Sequence, residues 1–176
     1  LTPRLSDRVE FPYMLLLVSG GHTQILSARD VGDYVLLGKT IDDALGECFD
    51  KSAKIMGLPY PGGPNLEKIA DECADPAAAR ARFPLPQPMK GRPGCDMSFS
   101  GLKTAMATHV EKFPPGTIAR ADAALLASSF QQTIADILTE RVGQAFRIER
   151  PPALVVAGGV AANLTLRRAL ETLCQS

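Results

Sequence analysis

Neither sign of charge dominates this sequence: Lys+Arg and Asp+Glu each total 19 in 176 residues. It therefore has no overall positive field of the kind that alone draws a protein onto phosphate backbones. Nucleic acid would have to be met by a local patch or by polypeptide outside this stretch. The four cysteines, Cys48, Cys73, Cys95 and Cys174, contain no CxxC pair. That pattern fits neither a zinc site nor the dense framework of a small secreted domain, and a reduced, cytoplasmic chain is the expectation. The apolar run Met14 to Val18 is far short of the roughly 20 residues a membrane helix needs, and no charged-then-apolar signal segment precedes it. Only two histidines occur, His22 and His109, with no partner at metal-ligand spacing. An exposed turn position for His22 and a helix surface for His109 are expected. No HExxH, GxSxG or GxxxxGK[ST] stretch is present, which gives no support to a zinc peptidase, a serine-hydrolase elbow or a Walker-type phosphate loop.

What is present suits one soluble α/β domain: 45% hydrophobic residues and a mean hydropathy near zero. Between Tyr13 and Thr40 the β signals MLLLV, TQIL and DYVLL alternate with turns at Ser19-Gly20-Gly21 and Val31-Gly32-Asp33, which predicts a three-stranded meander. Helical spacing follows over Ile41 to Met56, with Leu45, Cys48, Phe49, Ile55 and Met56 on one side, Asp42 or Asp43 as N-cap and Gly57 just past the end. Residues 59–121 read as an irregular, partly helical insertion, with a short helix over Asn65 to Cys73. Leu126, Phe130, Ile134, Ile137, Leu138, Val142 and Phe146 mark a long helix from about Asp122 to Glu149, stopped by Pro151-Pro152. ALVVA then reads as a buried strand, GGV as a turn and Ala162 to Leu173 as a helix. The opening stretch LTPRLSDRVEF reads as a connector over residues 1–10. Because the chain starts on Leu1 and stops at Ser176 directly after a helix, a piece of a larger protein is expected.

Two glycine pairs raise the chemical question. In LLLVSGGHTQIL, Ser19-Gly20-Gly21 is either a tight turn or a cradle in which unshielded amides, with positive φ open to them, converge on an anion. In LVVAGGVAAN, Gly158-Gly159 stands between a buried strand and a helix, where α/β proteins hold ligands, although packing economy would also account for it. Together they suggest a nucleotide held between two loops. Asp43, Gly46, Glu47 and Asp50 form one helical stripe. This is either a solvated face with Glu47-Lys51 and Asp50-Lys54 pairs or a surface that something approaches closely, with Asp50 accepting from ribose hydroxyls. Tyr60-Pro-Gly-Gly-Pro64 is a stiffened loop that turn chemistry explains adequately. Cys95 to Thr104 crowds Ser98, Ser100, Lys103 and Thr104 around an aromatic just before a helix, and Ser100-Gly101 serves equally well as a helix start.

LVSGGHTQI, IDDALGECFDKSAKIMGLPYPGGP, MSFSGLKTA and VVAGGVAANLTLR, in that order, resemble the successive signatures of the TsaD/Gcp family. These are the tRNA N6-adenosine threonylcarbamoyltransferases formerly labelled O-sialoglycoprotein endopeptidases. The likeness runs from about residue 11 to about residue 173. It implies an actin-like, Hsp70-like fold of two RNase H-like lobes, of which this chain would be most of the second. It implies transfer of the threonylcarbamoyl group from threonylcarbamoyl-AMP to N6 of the adenosine next to the anticodon, in tRNAs that read ANN codons. On the family's pattern the substrate-binding positions fall on Leu17, Val18, Ser19, Gly20, Gly21, Asp50, Gly63 and Asn163. The amides of Ser19 to Gly21 would hold the phosphoryl end, Asp50 and Gly63 would border the ribose, and Asn163 the adenosine. No general base is implied.

The family also carries one divalent metal ion, iron or zinc, on an HxxxH pair and a later Asp. This chain has neither, so the resemblance places those ligands outside it and implies that the chain alone is inactive. Partners implied are tRNA and TsaB- and TsaE-type proteins, with no membrane. Two other readings stay open: a non-catalytic scaffold of the same fold, against which the retained Asp50, Asn163 and glycine loops speak, and the peptidase of the older label.

Overall fold

The computed structural model describes residues 9–176. Three strands, β1 (Tyr13–Val18), β2 (Thr23–Asp30) and β3 (Asp33–Lys39), form the expected meander, and β4 (Leu154–Ala157) returns to the other side of β1. The sheet order is β3-β2-β1-β4, antiparallel except for the parallel β1/β4 pair. Strand β1 alternates as its sequence dictates: Met14, Leu16 and Val18 are fully covered by helices, while Leu15 and Leu17 stand half-buried on the opposite face.

The helices are α1 (Leu45–Ile55), α2 (Gly62–Ala70), α3 (Pro76–Arg82), α4 (Ser100–Val110), α5 (Arg120–Glu149) and α6 (Leu164–Gln175). The 30-residue α5 is the spine on which α2, α3 and α6 pack. Its Phe130 meets Phe49 of α1 edge to face, with ring centres 5.1 Å apart, inside one continuous apolar core. No helix among the described residues is long and apolar enough to cross a membrane. The expected connector over residues 1–10 lies almost wholly on residues 1–8, outside the described residues.

Several sequence expectations change. The helix predicted from Ile41 begins only at Leu45, with Ala44 at the N-cap. Neither Asp42 nor Asp43 caps it. Asp42 instead reaches across to α4, where its Oδ1 accepts from the Phe99 N–H (2.8 Å) and the Ser100 N–H (3.2 Å) and its Oδ2 from the Ser98 and Ser100 hydroxyls. Its carboxylate therefore satisfies orphan amides of a different helix. Asp43 pairs with Lys51 at 3.0 Å, as does Glu47 at 2.6 Å. Helix α2 starts three residues earlier than predicted, on Gly62. Helix α3 lies inside the stretch read as irregular, capped by Asp75, whose Oδ1 accepts from the Ala77 and Ala78 N–H groups.

His109 is not a surface residue. It is 8% exposed, its Nε2 lies 2.8 Å from the Pro84 carbonyl, and its ring meets Phe83 edge to face. Arg141 is fully buried, ion-paired with Glu140, and donates to the carbonyls of Arg92 and Gly94 at 3.0 and 3.1 Å, which ties the 85–95 loop to α5.

Candidate functional site

Because β1 and β4 run parallel, they end side by side, and the two glycine loops leave the sheet together. The contact is backbone on backbone. Gly158 has φ +104°, and a Cβ there would stand 2.2 Å from the Val18 carbonyl oxygen. From the other side α1 presses its first turn against the Ser19-Gly20 turn: the Gly46 N–H donates to the Ser19 carbonyl at 3.0 Å, and a Cβ on Gly46 would sit 2.8 Å from Gly20 Cα and N. Buried Thr23 holds the same junction, its Oγ1 accepting from the Leu45 N–H at 2.8 Å.

These contacts leave a cleft of about 340 Å³, within the size range of small-molecule sites. Gly20 and Gly46 border it, with Phe49 and Asp50 of α1, then Tyr60, Gly63 and Glu67, and residues of the Gly159–Asn163 segment opposite. Of the residues expected at a site, it brings together Gly20, Asp50, Gly63 and Asn163. Leu17 and Val18 belong to β1, with Val18 turned into the core, so at most their backbone could serve a ligand.

The Ser19-Gly20-Gly21 turn is built differently from its sequence expectation. Neither glycine takes positive φ. The Ser19 N–H donates to the His22 carbonyl at 2.8 Å, and Ser19 Oγ accepts from the Gly21 N–H (3.3 Å) and the His22 N–H (3.0 Å). Of the amides expected to grip an anion, only that of Gly20 has no protein partner among the described residues. His22 is exposed, as read.

The two carboxylates of the cleft share one arrangement. Asp50 Oδ1 accepts from the Gly62 N–H at 3.1 Å, and Glu67 Oε1 accepts from the Leu164 N–H at 2.7 Å. In each, one oxygen anchors the side chain to a neighbouring element and the second has no protein partner among the described residues, which leaves it able to accept from a ligand hydroxyl. Of the two pairs that a solvated face would carry, Glu47-Lys51 forms and Asp50-Lys54 does not among the described residues. Glu67 was not singled out from sequence; its spacing of four from Gly63 on one helix puts both on one face, a signal legible only once α2 is known to begin at Gly62. Asn163 is 6% exposed and caps α6, with Oδ1 accepting from the Leu166 N–H at 3.0 Å and Nδ2 donating to Gln131.

The glycines around the cleft fall into two sets. Gly46, Gly62 and Gly158 are required by packing, since a Cβ on each would lie within 3.0 Å of backbone atoms. Gly20 and Gly159 also line the cleft, yet a Cβ on either would meet nothing within 4 Å, and one on Gly63 would meet only Phe49 Cβ at 4.0 Å. None of these three has positive φ. Neither sterics nor backbone conformation of the protein requires glycine there, whereas a ligand lying against the backbone would.

A larger concavity of about 730 Å³ runs between β4 and α6. Its walls are aliphatic, with Val156, Leu166 and Leu170 among them, and its rim charges Arg167 and Glu171 pair with each other at 3.2 Å. It lacks the convergent polar groups of the smaller cleft. The family resemblance implies a metal ion, but among the described residues no three His, Cys, Asp or Glu gather around one point. The described residues do not fit that ion.

Fold and cleft together define a mixed α/β protein with a glycine-lined cleft at the carboxyl ends of neighbouring parallel strands. The chain belongs to the TsaD family: the family model described as "tRNA N6-adenosine threonylcarbamoyltransferase" matches residues 1–176. Proteins of that name from Brucella anthropi and Brucella abortus (strain S19) are 56% and 54% identical to it over 181 residues. Each alignment covers 99% of this chain and 48% of the relative, so the chain spans about half the length of the curated relatives it matches.

Proposed function

We propose that this chain is the adenylate-gripping lobe of an enzyme that moves a threonylcarbamoyl group from threonylcarbamoyl-AMP to N6 of the adenosine beside the anticodon in tRNAs reading ANN codons. In this reading the four-stranded mixed sheet with its helices is most of the second lobe of an actin-like, RNase H-like pair, and residues 59–121 are an insertion on it. The observation that carries the reading is the set of glycines, Gly20, Gly63 and Gly159, that line one cleft although the protein's own sterics do not require them. An adenylate lying flat against backbone accounts for all three.

The residues divide the work. The free oxygens of Asp50 and Glu67 accept from the ribose hydroxyls, and their anchored oxygens keep the carboxylates from swinging away. The Gly159–Asn163 segment, held by the Asn163 cap, forms the wall for the base. The Gly20 amide faces the phosphoryl end, where negative charge grows as the N6–carbonyl bond forms, N6 gives up one proton, the carbonyl–oxygen bond to AMP breaks and AMP departs. A fixed N–H donor that needs no reorientation stabilises that charge better than mobile water. The same reading makes tRNA the acceptor, TsaB- and TsaE-type proteins the partners and the cytoplasm the compartment.

The test is direct. The polypeptide as its gene encodes it, with those partner proteins, should release AMP from threonylcarbamoyl-AMP and yield the modified nucleoside in an unmodified tRNA that reads ANN codons. Absence of both products would overturn the reading.

A further inference from the structure

Among the described residues the most exposed large apolar residue is Tyr60, 87% accessible, and it lies on the rim of the cleft. A solitary exposed aromatic is ordinary on a protein surface. What distinguishes Tyr60 is how firmly its backbone is held while its ring is left alone. Pro59 and Pro61 flank it and restrict the chain on both sides. The Asn65 side-chain amide donates to both flanking carbonyls, at 3.0 Å to Pro59 and 2.9 Å to Pro61. Next in the chain after Pro61, the Gly62 N–H donates to Asp50, a carboxylate that lines the same cleft. Ordering a loop in this way costs chain entropy, and the ring does nothing to offset it: among the described residues it makes no hydrogen bond and no contact with another ring.

A planar ring carried on a held backbone at the mouth of a nucleotide-sized cleft, and 87% exposed there, matches a flat aromatic ligand. We infer that Tyr60 is a stacking platform for a purine base at the entrance of the cleft, a role that rests on the adenylate reading above. The base has two possible sources with the same chemistry, the adenylate itself or the target adenosine splayed out of the RNA. Stacking needs the ring face and not the hydroxyl, so phenylalanine should serve as well as tyrosine. Leucine, of comparable apolar bulk but without a π face, should not.

The experiment compares wild type, Tyr60→Phe, Tyr60→Leu and Tyr60→Ala in the polypeptide as its gene encodes it, using two probes: AMP and an unmodified anticodon stem-loop. Loss of one stacked base weakens binding about 5- to 150-fold. Such a loss for Tyr60→Leu and Tyr60→Ala, with Tyr60→Phe near wild type, is the expected result. If the loss is confined to AMP the stacked base is the adenylate's, and if confined to the stem-loop it is the RNA's. Tyr60→Trp supplies a readout that a merely structural role would not move. These 176 residues contain no tryptophan, so the emission the variant gains over wild type reports on this position and should be quenched at saturation by the same probe. Wild-type binding of both probes with unchanged affinity in Tyr60→Leu and Tyr60→Ala overturns the stacking role and leaves the adenylate reading intact. Failure of the wild type to bind either probe overturns both.

Discussion

Replacing Gly46 and Gly20, which pack against each other at the edge of the cleft, should separate folding from binding. An alanine Cβ on Gly46 would sit 2.8 Å from Gly20 Cα, Gly20 N and Ser19 C, all backbone atoms that cannot rotate aside. Helix α1 must then back away from the turn, stretching the 3.0 Å bond from the Gly46 N–H to the Ser19 carbonyl. Overpacking of this kind costs about 1–3 kcal/mol, and loss of the bond adds about 1 kcal/mol. For a domain of this size that lowers the midpoint of thermal unfolding by roughly 4–15 °C. Gly20→Val places its Cβ where nothing lies within 4 Å, and Gly20 has no positive φ to lose, so stability should stay within about 0.5 kcal/mol of wild type. The added atoms fill the space assigned to the nucleotide, and AMP affinity should fall at least about tenfold, equivalent to about 1.4 kcal/mol. Calorimetric unfolding and AMP titration on the same preparations measure both quantities. If Gly20→Val were as destabilising as Gly46→Ala, or bound AMP like wild type, the division of the glycines into packing and ligand sets would be wrong.

Other consequences are equally measurable. Burial pushes the Asp42 carboxyl up, but the Phe99 and Ser100 amides and the Ser98 and Ser100 hydroxyls outweigh it and hold it below the ordinary carboxylate range. Its contribution is therefore complete above the unfolded value near pH ~4 and is lost as pH falls through the lower folded value. Asp42→Asn should lower the unfolding midpoint at pH 7 and flatten the acid limb, with the two curves converging once the pH is below the lowered folded value; parallel curves would exclude the α4 anchor. Burial pushes the Cys48 thiol up to about 12, so at pH 8 an alkylating reagent should mark exposed Cys174 and leave Cys48 untouched until the protein is denatured, as peptide mapping would show. Arg141→Ala strands two loop carbonyls and removes the buried partner of Glu140, a change expected to cost about 3–5 kcal/mol in denaturant unfolding. A loss under about 1 kcal/mol would contradict that role for the guanidinium.

The sheet was legible because its signals are local. Alternation in β1 and β2, and the turn at Val31-Gly32-Asp33, fix strand identity within a few residues, and the apolar repeat along α5 runs too long to be mistaken. What sequence hid depends on partners distant in the chain. Asp42 and Asp43 look like helix caps, but the amides that Asp42 satisfies are 57 and 58 residues away, and local capping rules cannot see them. His109 sits on a helix of mixed polarity, and only the Pro84 carbonyl brought in by the preceding loop explains its burial. For the site, the two glycine pairs pointed to a shared ligand region, and the parallel β1/β4 pairing brings them side by side. Three consecutive amides in the first turn look equally free in sequence, but Ser19 Oγ takes up those of Gly21 and His22 within the turn. Glu67 escaped notice because its second anchor, the Leu164 N–H, lies 97 residues further along.

The central claim is that the cleft between the Gly20 turn and the Gly159–Asn163 segment holds an adenylate. A crystal structure of the gene-encoded polypeptide with AMP tests it most directly. The ribose hydroxyls should lie about 2.6–3.2 Å from carboxyl oxygens of Asp50 and Glu67, with the nucleotide's flank against Gly20, Gly63 and Gly159. AMP bound elsewhere, or a cleft closed by side chains with those glycines facing no ligand, would contradict the account.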